Sequence, residues 1–152
     1  MTHLDDETWM KLLKHPDAQL GLPATPESLA PFESSHGFAL PLSHRQFLLR
    51  ANGGILGYVR LFGVDRDDAL DLSSVIRNMQ GELERAAHRR VIPFASDWGG
   101  SYYCYDVVRA NNSEETPILY WNHEYSEEPA DWPLLWSDFA PDFVTFVRRV
   151  IE

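Results

Sequence analysis

Two β-rich runs, Tyr102 to Val108 and Pro117 to Trp121, are separated only by a short stretch containing the loop-forming Asn111-Asn112-Ser113. A parallel crossover needs about a dozen residues or more, usually a helix, so these runs are expected to pair antiparallel. That pairing constrains the rest of the chain. A sheet so begun is extended by hairpins, and its apolar face has to be covered by helices from elsewhere in the sequence.

The flanking segments supply those helices. Asp5 to Lys14 reads as a helix opened by carboxylates, with Trp9, Leu12 and Leu13 on one face. Thr25-Pro26 is an N-cap followed by proline at the first helical position, Leu29 and Phe32 form an apolar pair, and Gly37 is a natural stop. A third helix is predicted with Ser43 as its cap and Phe47, Leu48 and Ala51 facing inward. Its predicted end is Asn52-Gly53-Gly54, where Gly53 supplies a left-handed C-terminal cap. Gly57 to Phe62 has β composition. Asp71 to Arg85 has helical spacing through Val75, Ile76, Met79 and Leu83 despite Gly81. Val91 to Phe94 reads as a short strand that Pro93 confines to an edge or a strand end, followed by a turn at Asp97-Trp98-Gly99-Gly100. Ser137 is the expected cap of a closing helix in which Phe139, Phe143, Phe146, Val147 and Val150 share a face. The expectation is an α+β fold: one domain over residues 1–152, with an antiparallel sheet of about four to six strands flanked by helices.

Charge narrows the function. The 152 residues carry a net charge of -10, and residues 101–152 hold ten carboxylates against three arginines. No Lys or Arg occurs between Arg109 and Arg148. Direct nucleic-acid binding and an anionic membrane surface both need clustered cations and are not expected. A basic protein partner fits such a surface, although acidity also serves solubility alone. The acidic start of the chain, with no basic-then-apolar leader, and the absence of a long apolar run point to a cytoplasmic protein.

Catalytic constellations are missing. Cys104, the one cysteine, lies among tyrosines in a strand, where a small buried hydrophobe is expected; a nucleophile assisted by His123 is the alternative. The six histidines form no ligand pair at zinc spacing. Asp65, Asp67, Asp68 and Asp71 lack the glycine and glutamate of a calcium loop. Asn52-Gly53-Gly54 follows a helix, whereas phosphate-binding glycine loops follow a strand. No enzyme activity, metal or cofactor is expected. What remains is a group of aromatic side chains beside carboxylates: Trp98 in its turn, then Glu124 and Tyr125, then Glu127, Glu128 and Asp131. Tyr and Trp bring large contact area with a polar tip, so these six residues are the candidate partner-binding surface. Trp98 and Tyr125 are its expected exposed aromatics, while Trp121 is expected in the core.

Four segments, in order, resemble the SUKH superfamily of Smi/Knr-type domains. Leu40-Pro41 with Phe47-Leu48 and Asn52-Gly53-Gly54 is similar to its opening motif. Ile92-Pro93-Phe94-Ala95, Asp97, Gly99-Gly100, Cys104 and Asp106 are similar to its central hairpin. Ile118, Tyr120-Trp121 and His123-Glu124 follow its next strand, and Ser137 to Phe146 its closing helix. Asp138 and Pro141 depart from that last motif. The resemblance spans about residues 25–150. It implies a non-enzymatic α+β domain; the chain is expected to be a monomer or weak homodimer. In bacteria such domains act mainly as immunity proteins that bind a cognate toxin, often a nuclease or another nucleic-acid-modifying enzyme. The fungal members are regulators of cell-wall assembly, and a regulatory or scaffold role without a toxin is the alternative. On this reading Pro41, Asn52, Gly53, Gly54, Pro93, Asp97, Gly99, Gly100, Asp106, Trp121 and His123 are scaffold. Specificity then lies in the acidic loops.

Overall fold

The computed structural model describes residues 4–110, 115–125, 128 and 132–152. Its centre is a seven-stranded antiparallel meander in which every strand pairs with its neighbour in sequence: β1 (Gln19–Leu20), β2 (Gly54–Leu56), β3 (Val59–Leu61), β4 (Val91–Asp97), β5 (Tyr102–Asp106), β6 (Ile118–Trp121) and β7 (Trp136–Ala140). The helices are α1 (Asp6–Lys14), α2 (Pro26–His36), α3 (Leu42–Arg50), α4 (Leu72–Ala87), the single turn α5 (Trp132–Leu135) and α6 (Phe143–Ile151). The class is the expected α+β, with one strand more than the upper expectation. The pivotal pairing holds: Tyr102 opposes Trp121 and Tyr105 opposes Ile118.

Local chemistry starts most helices. Asp5 accepts from the Thr8 amide at 2.8 Å, Thr25 and Ser28 form a reciprocal capping box, and Asp71 accepts from the Ser74 amide. Gly37 closes α2 in the left-handed conformation at φ 60°. Alternation along β5 sends its side chains to opposite faces. Tyr103 and Tyr105 enter the main core, with Phe47 and Leu48 of α3, Phe94 of β4 and Phe143, Phe146 and Val147 of α6. Cys104 enters a smaller cluster with Leu83 and Ala87 of α4, Val91, Trp121 and Leu135.

Several local expectations are corrected. The closing helix does not start at Ser137. Residues 136–140 form edge strand β7, and α6 begins at Phe143, capped by Asp142, whose Oδ1 accepts from the Thr145 amide at 2.8 Å. Pro141 disfavours helix in the residue before it, and Phe139 satisfies its burial from the strand, edge-on to Tyr103 at 4.8 Å. The run Gly57 to Phe62 is the second arm of a hairpin, with Gly57 in its turn at φ 60°. β4 extends to Asp97 and is the middle strand of the sheet, so Pro93 is at neither an edge nor an end. A register shift between Pro93 and Ala95 accommodates its missing N–H. Ser43 does not cap α3: Pro41 holds that position, and the Ser43 hydroxyl donates to Glu115 at 2.6 Å. α3 closes on extended Ala51, so Gly53, although at φ 75°, is not its left-handed cap but the turn into β2.

Candidate interaction surface

Register places three connections at one end of the sheet. Val59 opposes Asp97, Tyr102 opposes Trp121, and Trp121 opposes Trp136. The β2–β3 turn at Gly57-Tyr58, the β4–β5 turn at Trp98 to Ser101 and the segment after β6 therefore emerge together.

Asp97 builds the central turn. Its Oδ1 accepts from the amides of Gly99 at 2.9 Å and Ser101 at 3.0 Å, and its Oδ2 accepts from the Tyr120 hydroxyl at 2.7 Å. Gly100 adopts φ 97°, and a Cβ there would lie 3.7 Å from the His123 ring. His123 is fastened to the same turn. Its amide donates to Ser101 Oγ at 3.2 Å, and its Nδ1 lies 2.8 Å from that hydroxyl. The motif residues Asp97, Gly99, Gly100 and His123 thus hold one turn against the end of β6.

The side chains this scaffold displays are aromatic and acidic. Trp98 is 62% exposed, Tyr58 49% and Tyr125 38%. Glu124 and Glu128 are exposed as well. Arg60 lies against the Trp98 ring, 5.0 Å from its centroid. Trp121 is buried, as expected. Trp98, Glu124 and Tyr125 are therefore at the same end of the sheet, whereas Glu127 and Asp131 lie outside the described residues. Sequence reading missed Tyr58 and Arg60, because treating Gly57 to Phe62 as one strand concealed the turn that projects Tyr58. The signal was Gly57 itself, a glycine between two branched or aromatic pairs. Beneath Tyr58, burial pushes the Tyr103 phenol well above its ordinary range, with the Tyr58 hydroxyl adding to the effect.

Other motif residues make contacts within the fold. Asn52 clamps the chain after β3: its amide group donates to the Val64 carbonyl at 2.7 Å and its Oδ1 accepts from the Val64 amide at 2.8 Å. A Cβ on Gly53 would lie 2.5 Å from the Leu61 carbonyl oxygen, and one on Gly54 would collide with the Gln19 carbonyl. Asp106, fully buried, is bonded by Arg89 and by Arg109, whose Nε is 2.6 Å away. Its two arginines offset the cost of burying its charge.

Cys104 and His123, the candidate nucleophile and base, each have other surroundings. Cys104 is fully buried, and burial pushes its thiol well up, away from the nucleophilic thiolate. His123 is engaged with Ser101. Among the described residues no group of three His, Cys, Asp or Glu is placed to hold a metal ion, and no helix is long and apolar enough to cross a membrane. Open grooves of about 460 and 510 Å³ exist, the first lined by Trp9, Phe47 and Arg50 and the second by residues 37–42 with Arg45 and Arg90. Ser43 at the first groove is buried and donates to Glu115 at 2.6 Å.

In comparison with known proteins, the family model for the SMI1 / KNR4 family (SUKH-1) matches residues 23–149. No curated protein matches the chain.

Proposed function

Because the chain belongs to the SMI1/KNR4 family (SUKH-1), we propose that it is a non-catalytic protein-binding domain. On this reading it acts as an immunity protein that neutralises a basic, nucleic-acid-processing toxin by covering its active surface. One observation carries the reading: Trp98, Tyr58 and Tyr125 are exposed, beside carboxylates, at a sheet end whose shape is held by the family's own motif residues. Exposed aromatics on a rigid mount supply contact area at low entropic cost, and carboxylates steer a cationic partner into place. A toxin domain shaped to hold phosphate backbones presents the complementary charge.

The test is to express the chain with the protein encoded by the adjacent gene, purify the pair, and measure whether that protein kills cells with and without the chain. A stoichiometric complex and rescued growth support the reading. Killing that proceeds unchanged while the chain is soluble and folded overturns it.

A further inference from the structure

We infer that Arg60 is the positioning residue for Trp98, holding the ring as a preset anchor before any partner arrives; the inference rests on the protein-binding reading above. The backbone beneath Trp98 is fixed by Asp97, which takes the amides on the far side of the turn. A fixed backbone does not fix a tryptophan that is 62% exposed, because its side-chain torsions still have several staggered wells to visit. The Arg60 guanidinium supplies the missing restraint, 5.0 Å from the ring centroid and within cation–π range.

Arg60 is itself tied down. Its Nε donates to Ser96 Oγ at 3.2 Å and a terminal nitrogen reaches the Asp97 carbonyl at 3.5 Å, while its backbone sits opposite Ser96 in the β3–β4 register. Arg66, Arg89, Arg109 and Arg148 each pair with a carboxylate. Arg60 makes no such ion pair among the described residues; its guanidinium faces the Trp98 ring, Ser96 and the turn backbone. An ammonium in its place would lack the planar group that stacks on an aromatic face.

This arrangement also sets what the partner brings. With a guanidinium on the inner face of the ring, a second cation on the outer face would meet like charge across an already polarised ring. The outer face and edge therefore take an apolar group, and the partner's basic groups go to the carboxylates, Glu124 foremost. Trp98 supplies contact area and the carboxylates supply steering.

The test uses the whole chain labelled with 5-fluorotryptophan, with the Trp98 resonance assigned by Trp98→Phe. Wild type should give one narrow, shifted Trp98 signal. Arg60→Met should move that signal toward the solvent-exposed value, and Arg60→Lys should restore it only in part. The same variants are titrated with the partner protein recovered from the co-expression test above. If Trp98 spreads over three side-chain wells in Arg60→Met, the dissociation constant should rise about threefold, matching the lost population of the seated ring. An unmoved Trp98 signal in folded Arg60→Met overturns the inference. A loss of affinity far beyond the lost population also overturns it, because Arg60 would then touch the partner directly. If Trp98→Ala leaves binding unchanged, the interface itself is wrong, and that result reads out separately from the Arg60 variants.

Discussion

The Tyr120 hydroxyl donates to Asp97 Oδ2 across 2.7 Å, tying β6 to the end of β4 although β5 lies between them. The other Asp97 oxygen holds the turn amides of Gly99 and Ser101, so one carboxylate joins the turn to a strand that is not its neighbour. Tyr120→Phe removes one charge-assisted bond and should cost about 1–2 kcal/mol, and Asp97→Ala, which also frees two amides, about 2 kcal/mol or more. Urea unfolding of both variants and of the double variant checks this. The double variant should lose less than the sum of the singles; strict additivity would show that the two groups are not coupled.

Gly53 and Gly57 both have positive φ but differ in surroundings. A Cβ on Gly53 meets backbone at 2.5 Å, from the Leu61 carbonyl, and at 2.8 Å, from the Gly63 amide, whereas one on Gly57 finds ordinary contacts from 3.4 Å outward. Gly57→Ala should therefore show only the left-handed penalty of about 1–2 kcal/mol, with Gly57→Asn milder. Gly53→Ala adds displacement of β3 and should be costlier by several degrees in melting temperature. Equal losses would contradict the close approach.

What was legible in the sequence follows from how local each determinant is. The β5–β6 pairing could be read because both runs carry their own β signal and the loop between them is short. The ends of α6 could not, because Phe139 and Phe143 suit a helix face as well as a strand followed by a helix. Only Pro141 and the capping Asp142 separated the two. Gly57 was misplaced because Tyr58 and Val59 continue a β-rich run through a turn. The surface was half legible. Aromatic and acidic composition pointed to Trp98, Glu124 and Tyr125, but Arg60 meets Trp98 only through the β3–β4 register. Tyr120 meets Asp97 across an intervening strand.

His44 was equally hidden, since nothing near it in the sequence marks a buried histidine. In the fold it is fully buried, stacked on Phe143 at 4.3 Å with Nδ1 2.8 Å from the Tyr105 hydroxyl, and burial holds its pKa down at about 3. The folded state therefore keeps His44 neutral while the unfolded chain takes up a proton below its ordinary 6.5. Stability from this residue is complete above pH 6.5 and falls, at up to about 1.4 kcal/mol per pH unit, as pH drops toward 3. Carboxylates contribute over the same range, so the difference between wild type and His44→Leu/Tyr105→Phe isolates the effect. That difference should be flat from neutrality up to the approach of the ordinary tyrosine value of 10.0, where ionisation of unfolded Tyr105 begins to count against wild type. It should turn increasingly in favour of the double variant as pH falls below 6.5. A pH-independent difference would mean that folded His44 titrates normally.

The proposed surface divides its work between charge and contact area, and kinetics can separate the two. Carboxylates at a rim act through the long-range field, so Glu124→Lys with Glu128→Lys should slow association with the basic toxin domain. The slowing should fade as salt shortens the screening length to about 10 Å near 0.1 M. Glu127→Lys and Asp131→Lys should add to the effect. Trp98 acts by contact once docked, so Trp98→Ala should speed dissociation, with a loss of about 2 kcal/mol or more and little salt dependence. Val108 is the control: it is 63% exposed and lies just past the C-terminal end of β5, while the Trp98 turn lies at the opposite end of that strand. Val108→Ala should change neither rate. Stopped-flow association and surface-plasmon dissociation at two salt concentrations decide the matter. If the charge reversals leave the association rate and its salt dependence untouched in a folded protein, the acidic sector serves solubility and the toxin docks elsewhere. If Val108→Ala matches Trp98→Ala, the contact lies at the other end of the sheet, where Asp106 is held between Arg89 and Arg109.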